Sequence, residues 1–264
     1  MSLAPTPALS GIGRVFEHRL ILYLKTFRAS IFSSFLLPVL FLTAMGLGLG
    51  TYVDESSLGG VPYIVFLAPG LLVSTAMQSA AFEATFPIMG GLVWNRTFHA
   101  MYATPISGRD VALGNLVWIG ARLLLISTIF TGVIFLFGAA GSPLFILAIP
   151  VAVLTGLAFA APIAAFSATQ RTVEKFNAIF RFGVTPLFLF SGTFFPVEQL
   201  PVALQGLAWL TPLYHGVWLA RALSLGTIGD EPVLALVHLL IILAFIIVGT
   251  IWAVRTITAR LVRG

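Results

Sequence analysis

Residues 111–137 read VALGNLVWIGARLLLISTIFTGVIFLF. Arg122 is the one charge in the stretch, which exceeds the about 20 apolar residues that a helix needs to cross a bilayer core. Five more stretches of this kind stand in the chain: Phe27–Leu49, Pro62–Ile88, Leu144–Ala168, Ala178–Phe194 and Val233–Val254. Backbone facing lipid has to satisfy its own hydrogen bonds, so such spans are helices. The pattern predicts an all-α integral membrane protein with six transmembrane helices, forming one domain over residues 1–264.

Composition points the same way. Of 264 residues, 59% are hydrophobic and only 9% charged, and the mean hydropathy is +1.05. A soluble domain carries about 25% charged residues, so this chain lacks the polar surface to cover a water-soluble globule. The absence of cysteine excludes disulfides and thiolate metal sites. The four histidines, His18, His99, His215 and His238, are scattered without ligand spacing, so no metal site is expected. The opening MSLAPTPALSG has neither a basic start nor a compact apolar core, so no cleavable signal peptide is expected.

The basic residues sort by loop. Arg14, Arg19, Lys25 and Arg28 precede the first span, and Arg96 and Arg109 separate the second from the third. Arg171, Lys175 and Arg181 stand between the fourth and the fifth or just inside it, and Arg255, Arg260 and Arg263 follow the sixth. The alternate loops hold Arg221 alone, with Asp54, Glu55, Glu198, Asp230 and Glu231. Basic loops stay in the cytoplasm, so both termini are expected there. The net charge of +5 therefore reports topology, and no nucleic-acid partner is expected.

Two segments are apolar without being spans. Over 10–26, Ile12, Val15, Phe16, Leu20, Tyr23 and Leu24 fall on one helical face and Arg14, Glu17, His18 and Lys25 opposite, with Ile21 the exception. That is the pattern of an interfacial helix, or of an extension of span one into the cytosol. Over 195–225, Pro196, Pro201, Gly206, Pro212 and Gly216 cut an apolar stretch into pieces too short to cross. The pieces predict two short helices re-entering from the outer face, with Trp209, Tyr214 and Trp218 at headgroup level; a hairpin lying flat on the membrane is the alternative. Small residues mark close contacts: Gly156, Ala160, Ala164 and Ala168 in span four, and Ala44, Gly46, Gly48 and Gly50 in span one.

Residues 94–107, WNRTFHAMYATPIS, break the apolar pattern. As a helix over 94–105, Trp94, Phe98, Met101, Tyr102 and Pro105 share one face, and Arg96, His99 and Ala103 another. Spacing alone leaves two roles open, a connector packed on headgroups or a docking element for another protein.

Familiar chemistry is absent. Neither Lys25 nor Lys175 belongs to a phosphate-binding loop, so the chain is not expected to hydrolyse nucleotide by itself. No catalytic constellation is discernible. Glu83 is the one acid inside a span and Arg122 a base on another apolar stretch, and each needs a partner or water. From the drawn span edges their depths differ, so a direct pair competes with an Arg122 that faces the aqueous pathway.

The stretch WNRTFHAMYATPISGRDVALGN resembles the cytoplasmic loop of type-2 ABC exporter permeases, most like those of the nodulation-factor export kind. LFLFSGTFFPVEQLP followed by LAWLTPLYHGVWLARAL resembles the segment before their last span. The resemblance covers essentially the whole chain and implies a non-enzymatic permease subunit in a bacterial inner membrane. Two copies, or one with a close homologue, would form a pathway, with spans one and five as the candidate interface. A separate cytoplasmic ATPase would bind ATP and Mg, and this chain would hold no cofactor. By the same resemblance, the helix from Trp94 to Pro105, with Arg96, Phe98, His99, Met101 and Tyr102, couples to that ATPase, and Arg171 and Lys175 lie in a secondary contact. Phe195, Pro196, Pro201, Trp209, Tyr214 and His215 would belong to an outer gate. The cargo would be amphiphilic: a lipo-oligosaccharide, a glycolipid or other lipid, or a hydrophobic drug, taken from the cytoplasm or inner leaflet among membrane lipids. A secondary carrier working alone and a scaffold without transport remain the rival readings.

Overall fold

The computed structural model describes residues 9–25, 27, 36 and 38–263, and every regular element among them is helical. Among the described residues, the α-helices with both ends defined run in chain order: α1 (Leu9–Leu24), α2 (Tyr63–Met89), α3 (Thr97–Tyr102), α4 (Gly108–Leu136), α5 (Ala148–Thr169), α6 (Glu174–Ile179), α7 (Thr185–Phe190), α8 (Val202–Trp209), α9 (Pro212–Leu225) and α10 (Pro232–Arg263). Short 3-10 and π turns extend several of them. Tyr63–Trp94, Gly108–Leu136, Pro143–Thr169 and Pro232–Arg263 are each long and apolar enough to cross a membrane.

Four of the six expected spans are thus matched, although the helices run on past the expected ends Ile88 and Val254 to Trp94 and Arg263, and two differ. Most of the N-terminal half of the expected first span lies outside the described residues; its C-terminal half is a short apolar helix, Pro38–Tyr52. The expected fifth span, Ala178–Phe194, is a shorter helix in which a π turn at Phe180–Val184 joins α6 to α7, ending at Phe190. It stops because the chain bends at depth. Thr193 sits against Gly70, where an added Cβ would lie 2.9 Å from the Thr193 backbone, and its hydroxyl is 2.7 Å from that of Ser74. Gly70 and Ser74 lie roughly 10–17 Å along α2 from Tyr63 at 1.5 Å per residue. Non-helical backbone is tolerated at such a depth where protein satisfies it.

The centre of the bundle is α5, packed between α2 and α10. Gly156, Ala160, Ala164 and Ala168 are all buried, so the small-residue stripe serves contacts within the chain. Gly156 admits Leu123 and the Ala76 carbonyl, and Gly249 of α10 rides against the Pro162 ring, where a Cβ would be 2.6 Å from Cδ. Dispersion between closely approached backbones holds helices together where lipid offers no hydrophobic contrast.

The two ends differ in charge. Gly108 touches Thr258, and cavities join Tyr102 and Arg109 to Arg255, and Arg171 to Arg260. These contacts gather the basic segments at one end. At the other, Gly141 meets Ser224, and Asp230 and Glu231 share a cavity with Trp218 and Arg221.

Helix α1 lies against α4. Val15 fills the space left by Gly114, and Phe16 and Tyr23 set their edges on Trp118 at 5.8 and 5.5 Å. Leu20, Ile21 and Leu24 point away from the protein, so the expected apolar face divides between protein and surroundings.

Candidate functional site

Helix α2 does not end at Met89. It continues through a π turn, Gly90–Trp94, and breaks at Arg96, which adopts a left-handed backbone (φ 52°). A non-glycine residue there costs about 1–2 kcal/mol, so the surroundings fix this corner. The following helix is only Thr97–Tyr102, shorter than the 94–105 expected, because the left-handed Arg96 starts it late and the turn after Tyr102 closes it before Pro105. Thr104 Oγ1 donates to the Met101 carbonyl at 2.6 Å. Ser107 and Asp110 then form a reciprocal capping box, Asp110 N to Ser107 Oγ at 3.1 Å and Ser107 N to the Asp110 carboxylate at 3.0 Å. The TPIS-x-x-D pattern is therefore a helix stop followed by a helix start.

The structure divides the residues expected on this helix. Phe98 is 1% exposed and packs into the space left by Gly91, under the Arg19 guanidinium at 5.5 Å, and Met101 packs partly against the core. Trp94, Arg96, Tyr102 and Pro105 face outward. His99 lies between; burial, then Arg96 and Arg260, hold its pKa below the usual imidazole value. The single apolar face read from spacing is thus an inward anchor plus an outward aromatic rim.

Arg19, read from the sequence only as one of the basic residues before the first span, is built into the packing. Its Nε donates to the buried Asn115 Oδ1 at 2.7 Å and its Nη2 to the Pro87 carbonyl at 3.4 Å, while Asn115 donates to the Val111 carbonyl. Burial lowers its pKa, and Glu83 opposes that shift. Asn115, the lone side-chain amide of its span, was the available signal.

Arg122 and Glu83 form an ion pair between α4 and α2, with Arg122 also over the Tyr23 ring at 5.3 Å. The depth difference inferred from the span edges closes because α2 runs on to Trp94. Glu83 then lies about 16 Å from that end, and the long Arg122 side chain bridges the rest.

At the acidic end, α9 is buried along most of its length, whereas α8 exposes Val202, Leu207 and Trp209. Gly216 lets α9 meet α5, since a Cβ there would collide with Thr155 Oγ1. Arg221 stacks on Phe66 at 3.7 Å and donates to the carbonyls of Phe66 and Gly192, fixing the bend at Gly192 to α2. Pro196 and Tyr214 line a small cavity beside Arg221 and Glu198, while Phe195 is half-buried and Pro201 exposed. His215 and His238, far apart in sequence, meet with Nδ1 atoms 2.6 Å apart, among Trp209, Tyr214 and Trp218. Lys175 is exposed, and Arg171 faces a cavity shared with the end of α10.

Comparison with known proteins gives the family. The model described as ABC-2 type transporter matches residues 14–225. Nodulation protein J of Rhizobium leguminosarum bv. viciae is 31% identical over the full length of both chains. Nodulation protein J of Sinorhizobium fredii is 35% identical over 73% of each, and that of Rhizobium meliloti 32% identical over 81% of this chain and 80% of its own. The chain belongs to the ABC-2 type transporter family, as the multi-pass membrane permease subunit of an exporter in the bacterial inner membrane.

Proposed function

We propose that two copies of this chain, or one copy and a close homologue, form the export pathway for an amphiphile, driven by a separate cytoplasmic ATPase that docks on the basic end. The observation that carries this reading is the loop after α2. Phe98 ties it rigidly to the bundle, while Trp94, Arg96, Tyr102 and Pro105 are presented outward. A movement imposed on that rim would pass directly into α2 and α4. Lys175 and its neighbours in 170–177 lie in a secondary contact. ATP and Mg belong to the ATPase, and this chain holds neither.

In this reading the chain crosses six times with both termini in the cytoplasm, the fifth crossing being completed by the bend and α8–α9 rather than by one straight helix. The segment 195–225 is the outer gate. Ala44 and Gly48, both exposed on the first span, and the poorly covered fifth helix meet the second copy. The relatives named nodulation protein J, together with the resemblance to nodulation-factor exporters, favour a lipo-oligosaccharide over a drug or simple lipid.

Co-purification tests the docking. The wild-type permease should retain its ATPase and stimulate it, and the Trp94→Ala/Tyr102→Ala double variant should lose both while still folding. Full retention would return the loop to the role of a connector. Cysteines introduced at Ala44 or Gly48 should cross-link between copies in membranes; none forming in any nucleotide state would remove that interface.

A further inference from the structure

We infer that the basic end carries a binding site for the phosphate of an anionic phospholipid headgroup, in the cleft between α5 and the end of α10. A cavity of about 590 Å³ opens there, lined by Thr169 and Arg171 from the end of α5 and by Thr256, Ala259, Arg260 and Arg263 from α10. The α10 residues recur at helical spacing, so they form one face. Three arginines thus border one space, and among the described residues none of them pairs with a carboxylate. The nearby Glu174 is engaged by the Thr172 hydroxyl at 3.4 Å.

Depth selects the ligand. The apolar run of α10 ends near Val254, so Thr256, Ala259 and Arg260 lie about 3–9 Å beyond it, and Arg263 about 14 Å. The headgroup layer extends roughly 5–8 Å beyond the hydrocarbon on each side, and arginine side chains reach back toward it. Arg171, two residues after α5, sits at the same level. Trp252, exposed one turn before Thr256, stands where aromatic belts mark the interface. Guanidiniums bind phosphate oxygens through paired donors, and basic pockets between helices at the cytoplasmic face accept anionic headgroups. The ligand is therefore a membrane phosphate. The site rests on the bilayer placement proposed above and is independent of what the protein exports; Arg171 also borders the proposed secondary ATPase contact, so the lipid site is probed on the permease alone.

Native mass spectrometry of the full-length permease in detergent tests this, with phosphatidylglycerol and phosphatidylcholine of identical acyl chains as probes. Wild type should retain phosphatidylglycerol at least about tenfold better than phosphatidylcholine. Arg171→Gln/Arg260→Gln/Arg263→Gln should abolish that preference, whereas Arg14→Gln/Arg109→Gln/Arg255→Gln, equal in charge change and at the same end, should keep it. Ala259→Leu, which fills the cavity and keeps every charge, should weaken it as well. Equal loss in both triple variants would mean a general charge effect and overturn the site, as would unchanged retention in Ala259→Leu. Displacement by millimolar inorganic phosphate would mark a free-anion site and overturn the lipid assignment. Because the readout is binding alone, its failure leaves the transport reading intact, and failure of ATPase docking leaves the lipid site intact.

Discussion

The Arg122 guanidinium donates to the Glu83 carboxylate across the contact between α4 and α2. Glu83 is buried and Arg122 only partly exposed, so each charge has the other as compensation in a largely apolar setting. A lone charge at mid-membrane costs about 2.5–3.5 kcal/mol on insertion scales. Glu83→Ala or Arg122→Ala is expected to lower unfolding stability by about 2 kcal/mol. The swap Glu83→Arg/Arg122→Glu is expected to recover part of that loss. A double variant no better than the worse single, by denaturant titration in detergent, would show that the pair does not stabilise the bundle.

Phe98 and Trp94 should separate stability from coupling. Phe98→Ala removes a ring that fills the space beside Gly91, and buried Phe→Ala changes cost about 3–5 kcal/mol. Trp94→Ala and Tyr102→Ala remove exposed rings, so melting should hardly move, while ATPase affinity should fall by about 2 kcal/mol. Thermal melts alongside binding titrations give both values. Similar melting losses for Phe98 and Trp94 would contradict the inward and outward assignment.

Helix contacts built on glycine should be intolerant of a methyl group. Gly216→Ala would meet Thr155, and Gly249→Ala would meet Pro162, with an expected loss of about 1–3 kcal/mol each. Gly132 and Gly206 have open space around the same position, so alanine there should be neutral or slightly stabilising through helix propensity. Equal effects at all four sites would argue against the close approach of α9 and α10 to α5.

The two histidines at the acidic end, His215 and His238, should hold one tautomer each. A carbonyl only accepts, so His215 Nε2, 2.9 Å from the Trp209 carbonyl, carries a proton. In the neutral ring His215 Nδ1 is then an acceptor, and His238 Nδ1 donates to it. Nitrogen-15 spectra of histidine-labelled protein at neutral pH should show the Nε2–H form for His215 and the Nδ1–H form for His238. The reverse assignment, or two like tautomers, would be incompatible with this contact.

Arg221 should not be replaceable by lysine. Its fork spans two carbonyls, Phe66 and Gly192, that one ammonium group cannot hold in the same geometry. Arg221→Lys is expected to raise amide hydrogen exchange around Gly192 by about tenfold or more, equivalent to about 1.4 kcal/mol of local opening, with α4 unaffected. Unchanged exchange at Gly192 would remove the role given to the fork.

The sequence by itself determined what is set by composition and local chemistry. The apolar runs gave α2, α4 and α5 within a few residues, and α10 without its basic extension to Arg263, because hydrocarbon permits helices and little else. The prolines and glycines of 195–225 gave two short helices, and the stripe from Gly156 to Ala168 marked a packed face. The aromatic and basic loop at 94–107 was visible as an interruption. Which of its residues point inward was not, since Phe98 and Trp94 share a helical face on paper. Only the left-handed turn at Arg96, fixed by packing of α3 beneath Arg19, parts them. The early end of the fifth helix, the meeting of His215 with His238, and the Glu83–Arg122 pair were likewise decided by tertiary structure. Each depends on which helices are neighbours and at what depth, and neighbours in a bundle are chosen by interhelical packing summed over the whole chain, which no local pattern encodes.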